Sequence, residues 1–152
     1  GDNDDGQCDV PAGLGGVVAV SARKFHSLAL KKDGTVVAWG DNDDGQCDVP
    51  AGLGGVVSVS AGWNHSLALK KDGTGVAWGY NGVGQCDVPA GLGGVVAVSA
   101  GDSHSLALKK DGTVVAWGNN DNGECDVPAL GGVVAVSAGS SHSLALKKGS
   151  TE

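Results

Sequence analysis

Hydrophobic and polar positions in this chain alternate with a period of two. In His65-Ser66-Leu67-Ala68-Leu69-Lys70, Leu67 and Leu69 fall on one face and Ser66, Ala68 and Lys70 on the other. That alternation marks a half-buried strand. Upstream, Val56-Val57-Ser58-Val59-Ser60-Ala61 is rich in β-branched residues and bounded by glycines, which marks another. Gly62-Trp63-Asn64 is the short turn between them. Asp72-Gly73, a strong hairpin signal, leads into a third strand at Val76-Ala77-Trp78. No stretch carries helical periodicity, and a glycine every few residues opposes helix. The chain reads as all-β.

This three-strand pattern recurs four times. Cys8, Cys47, Cys86 and Cys125 lie 39 apart, as do Trp39, Trp78 and Trp117. His26, His65 and His104 keep the interval; His142 follows after 38, because Ala129-Leu130 lacks the glycine of Ala12-Gly13-Leu14. The units are 1–39, 40–78, 79–117 and 118–152. A unit of this size cannot bury its apolar face alone and must stack on its neighbours. Short antiparallel strands repeated radially describe β-propeller blades. In the fourth unit Lys148-Gly149-Ser150-Thr151-Glu152 stands where Asp-Gly-Thr-Val-Val-Ala-Trp is expected, so its third, outer strand is missing. Four blades leave two end faces rich in Val and Leu, and such faces associate. Closure of two arcs around a two-fold axis, as an eight-bladed homodimer, is the expected solution. A closed four-bladed monomer is the alternative.

The residues Ala61-Gly62-Trp63-Asn64-His65-Ser66-Leu67-Ala68-Leu69, then Asp72-Gly73-Thr74, then Ala77-Trp78-Gly79-Tyr80-Asn81 and Gly84-Gln85 form one long motif. It resembles the regulator of chromosome condensation repeat and covers nearly the whole chain. The compact blade is most similar to the short-bladed bacterial branch, which includes a propeller-type β-lactamase inhibitory protein. The resemblance implies a propeller, typically of seven blades, and a protein-binding surface built from aromatic-bearing loops on one face. The exchange activity of the family's founding member depends on features outside the repeat and is not carried over.

Composition narrows the reading. Hydrophobic residues make up 41% and aromatic residues only 4%, so Val, Leu and Ala must build the core. The 28 glycines sit at unit junctions and read as turn residues. A formal charge of −7 argues against the clustered basic face of a nucleic-acid binder. No apolar run approaches the length of a membrane span, and no secretion signal is visible. With no Met and a first residue of Gly, the natural start is expected to have been removed or to lie outside this sequence. Localisation stays open. Evenly spaced cysteines suit neither a disulfide framework, whose Cα atoms must approach within about 7 Å, nor zinc, which favours closely paired cysteines. One half-buried thiol per unit is expected.

Strand parity sorts the loops. The turns between the first and second strands, and the loops after the third, share a top face; the Lys-Lys-Asp-Gly hairpins lie at the bottom. The top turns are the most divergent segments: Arg23-Lys24-Phe25, Gly62-Trp63-Asn64, Gly101-Asp102-Ser103 and Gly139-Ser140-Ser141. Tyr80 falls in a top loop as well. Arg23, Lys24, Phe25, Trp63, Asn64, Tyr80 and Asp102 are therefore the candidate residues for a protein-binding surface, since aromatics and Arg anchor interfaces. Loop tips also vary without function, and both readings stand at this point. The four histidines lack a carboxylate at fixed offset to orient them as ligands and read as hydrogen-bonders that stabilise the turns. The Asp-rich loops fail the calcium-loop pattern, because counting back from Gly45 places Gly40 at its first position; Asx-turn chemistry explains them. No metal, cofactor or catalytic constellation is expected, and the protein reads as non-enzymatic.

Three functions compete. The first is a self-assembling propeller scaffold. The second is an inhibitor or adaptor that binds protein through the variable top loops. The third is a multivalent lectin-like binder, whose sites would have to sit at the invariant Cys-Asp-Val-Pro segment.

Overall fold

The computed structural model describes residues 1–149, and every regular element in them is a strand. Strands β1 (Val17–Ala22), β2 (His26–Lys31) and β3 (Val36–Gly40) form the first antiparallel sheet. Strands β4 (Val56–Ala61), β5 (His65–Lys70) and β6 (Gly75–Gly79) form the second, and β7 (Val95–Ala100), β8 (His104–Lys109) and β9 (Val114–Gly118) the third. The fourth holds only β10 (Val133–Ala138) and β11 (Ser143–Lys147).

The paired valines that open each unit do more than extend a strand. Register between β4 and β5 shifts between Val56 and Ser58, and the same shift recurs in the other sheets. Such a bulge bends the strand and increases its twist. Val56 turns into the core while Val57 stays exposed.

Sheets stack in chain order, with first strands against first strands: β4 packs on β1, β7 on β4 and β10 on β7. The third strand is outermost. Between the first two sheets lie Leu28, Leu30, Val56, Ala61, Ala68 and Trp78, with Val49 and Leu53 packed against them. Leu67, Leu69, Val95, Ala100, Ala107 and Trp117 repeat that core one sheet on, joined by Val88 and Leu92. The loop after each third strand therefore returns between two sheets and helps to seal the core. Its sharp start depends on glycine. Gly79 has a φ of 106°, and a Cβ there would meet the Asn64 carbonyl oxygen at 2.6 Å.

Candidate functional site

The first-to-second-strand turns of three successive sheets converge at the top face. The Arg23 guanidinium pairs with the Asp102 carboxylate at 2.7 Å. It also donates to the Ala100 carbonyl at 3.2 Å. Lys24 holds its ammonium 5.0 Å from the Phe25 ring centroid and 4.5 Å from that of Trp63. The two rings lie 6.0 Å apart, tilted by 35°. The turns of the first three sheets are thus linked, with an Arg23–Asp102 ion pair beside the Lys24, Phe25 and Trp63 cluster. Each cation–ring contact is modest, about 0.5–1 kcal/mol for an exposed cation over a ring.

Five of the seven candidate residues are united there: Arg23, Lys24, Phe25, Trp63 and Asp102. The Asn64 side chain turns away and donates to Asp44 at 2.7 Å. Tyr80 is tied to Asn64 by its backbone amide at 2.8 Å. Its ring folds over Gly82, where a Cβ would collide with the Tyr80 hydroxyl. Tyr80 is exposed, and its side chain makes no part of the Lys24 cluster.

A second constellation, buried between sheets, escaped the sequence reading. The Ser66 hydroxyl donates to the Gln46 carbonyl at 2.8 Å, and the Trp78 indole N–H donates to the same oxygen at 2.9 Å. Since the serine proton is committed, the 2.9 Å contact between His26 Nε2 and Ser66 Oγ makes the imidazole the donor. The relay repeats as His65 to Ser105 to the Gln85 carbonyl, with Trp117 on that oxygen. It repeats again as His104 to Ser143 to the Glu124 carbonyl. The histidines are hydrogen-bonders, as their type suggested, and their partner is a serine of the next sheet. Nδ1 of His26, His65 and His104 has no partner. Burial lowers the pKa of His26 and His65 to about 4 and lowers that of His104. These rings are neutral struts. Three of the thiols are half-buried and Cys8 is exposed. Burial raises Cys47, Cys86 and Cys125 to about 11, which leaves them protonated and unreactive at neutral pH.

The ends of the stack differ from its interior. Leu28, Leu67 and Leu106 are at most 2% exposed, whereas their counterpart Leu144 is 61% exposed. Leu146 is 62% exposed against 3% for Leu30, Leu69 and Leu108. On the first sheet Val17 is 37% exposed, while Val56, Val95 and Val133 are at 4%. The histidine relay also stops at the ends, although the Ser27 hydroxyl still donates to the Gln7 carbonyl at 2.9 Å. His142 and Ser27 are the terminal members of the relay series, and among the described residues no His142–Ser27 bond joins them. Serines of one first strand accept the amide of the next, as in Ser21 to Ala61, Ser60 to Ala100 and Ser99 to Ala138, each 3.0 Å.

A family model built on the Regulator of chromosome condensation (RCC1) repeat matches residues 17–46, 56–85 and 95–124. Comparison with curated proteins finds no match. Among solved structures, yeast RCC1 (Prp20) bound to Kap60 is similar at 27% identity and a TM-score of 0.73, over 86% of this chain and 41% of that one. Prp20p from Saccharomyces cerevisiae, described with its binding to Gsp1p and histones, gives 26% identity and a TM-score of 0.75, over 87% of this chain and 43% of that one. Human WBSCR16 shares the fold at 22% identity and a TM-score of 0.73, over 88% and 45%. The chain spans less than half the length of each.

Proposed function

Because this chain belongs to the regulator of chromosome condensation (RCC1) repeat family, we propose that it is a non-enzymatic, self-assembling propeller scaffold in which two copies close one ring of eight blades. The mismatch between the end faces and the interior carries this reading. The last sheet presents the leucines that every internal junction buries, and the first sheet presents the valines that receive them. A second copy seated on both ends repeats the junction already made three times in one chain. It would give His142 an acceptor in Ser27 of the partner subunit. It would also give the Ala22 amide an acceptor in Ser137 of the partner subunit. Each buried Leu or Val side chain is worth about 1.5–3 kcal/mol, so two such junctions supply a strong drive.

Leu144→Glu with Leu146→Glu tests this by sedimentation. Both side chains are exposed in the single chain, so folding is spared while the junction receives two charges. The expected result is a folded monomer; a retained dimer would overturn the reading.

The Lys24, Phe25 and Trp63 cluster favours a second reading, binding of a protein partner at the top face. Prp20p's described binding to Gsp1p and histones makes a protein ligand the natural class. A defined partner recovered by the wild type and lost on Trp63→Ala supports it; equal recovery opposes it.

A further inference from the structure

In the first three sheets the third strand fills a slot with a fixed recipe. Trp117 lies opposite Ser105, Ala116 opposite Leu106, Val115 opposite Ala107 and Val114 opposite Leu108. The first two sheets use the same register. The indole and the valine two residues before it point back at the preceding sheet: Trp117 and Val115 pack on Leu67, Leu69, Val88 and Leu92. The indole N–H then bonds the buried glutamine carbonyl.

Among the described residues, β11 has β10 as its only neighbour. A cavity of about 350 Å3 lies beside it, lined in part by Leu106, Glu124, Val127, Leu130, Ser143 and Ala145. These are the fourth-sheet counterparts of the groups that enclose Trp78 and Trp117. The Glu124 carbonyl accepts from Ser143 at 2.8 Å, whereas the Gln7, Gln46 and Gln85 carbonyls each accept an indole N–H as well.

We propose that the β11 edge and this cavity are a binding site for an extended peptide of the type Val-Val-Ala-Trp-Gly. The peptide adds as an antiparallel strand, with Trp opposite Ser143, Ala opposite Leu144 and the two valines opposite Ala145 and Leu146. Its indole fills the cavity and donates to the second lone pair of the Glu124 carbonyl. The glycine sits opposite His142, where the filled sheets need a φ of 104–108°. Three occupied copies of the same slot in this chain define the ligand. The indole and the second valine enter on the side of the fourth sheet facing the third, whereas the alanine and the first valine share the face of Leu144 and Leu146, as Val36 and Ala38 do beside Leu28 and Leu30.

The test is fluorescence anisotropy of a dye-labelled Asp-Gly-Thr-Val-Val-Ala-Trp-Gly peptide titrated with the full chain. Saturable binding is expected, weakened about tenfold or more when the peptide Trp is replaced by Ala, since that replacement forfeits well over about 1.4 kcal/mol of burial. Ala145→Arg, a substitution at an exposed position lining the cavity, should abolish binding while the filled sheets keep their far-ultraviolet spectrum. Absence of binding by the wild type, equal affinity for the Trp and Ala peptides, or undiminished binding by Ala145→Arg would each overturn the proposal.

Discussion

Mild acid should destabilise the stack through its buried histidines. His26 and His65 are buried and neutral, with pKa values lowered to about 4 from an ordinary value near 6.5. Burial is the main cause for both; for His65, the neighbouring imidazoles and Arg23 add to it. Between those two values the unfolded chain binds more protons than the folded one, so stability falls as pH falls. It is complete above about 6.5 and drains away toward about 4. At pH 5 each ring has lost about 1.5 units at 1.36 kcal/mol per unit, or about 2 kcal/mol. The pair costs about 4 kcal/mol, a large share of the 5–15 kcal/mol typical of a domain. With a urea slope of about 2 kcal/mol/M, the midpoint should drop by about 2 M between pH 7.5 and pH 5. Tryptophan fluorescence reads the transition. Asp33, Asp72 and Asp111 are held below the usual carboxylate range by the Thr35, Thr74 and Thr113 hydroxyls and amides. They lose their contribution only at lower pH, so the two effects separate. The double variant His26→Gln, His65→Gln, whose amides can still donate to serine, should flatten the dependence. A wild-type midpoint unchanged between pH 7.5 and pH 5 would refute the neutral-strut assignment.

Other substitutions probe the same junctions. Ser66→Ala strands the buried His26 donor and removes a donor from the Gln46 carbonyl; a loss of about 1–3 kcal/mol in urea unfolding is expected. Gly79→Ala places a Cβ against the Asn64 carbonyl in the left-handed region and should cost at least about 1–2 kcal/mol by the same assay. Lys24→Ala, which removes an exposed ammonium from two rings, should change stability by no more than about 1 kcal/mol.

The strands were legible because each signal is local. Alternation in His65–Lys70 and Asp72-Gly73 at the hairpin need no distant partner, and both are where the pattern placed them. The bulge at Val57 was not, because two adjacent valines read as plain strand whether or not one is looped out. The histidine relay was hidden for another reason. His26 and Ser66 lie in adjacent units, and periodicity identifies equivalent residues without showing which neighbours touch. Gln85 stood in the motif without a role, since the acceptor it supplies is its backbone carbonyl, which residue type does not reveal. At the top face, loop parity correctly grouped the turns of successive sheets, which is why Phe25 and Trp63 meet. It could not anticipate that Tyr80 folds onto Gly82, a matter of local side-chain packing.

Light scattering after size exclusion, across a range of protein concentrations, addresses the central claim most directly. Two copies closing one ring predict a mass about twice the 14.9 kDa of the chain, held down to low concentration because two junctions must break together. A mass of one chain at every concentration would contradict the claim that the exposed leucines of the last sheet and the valines of the first are made for each other.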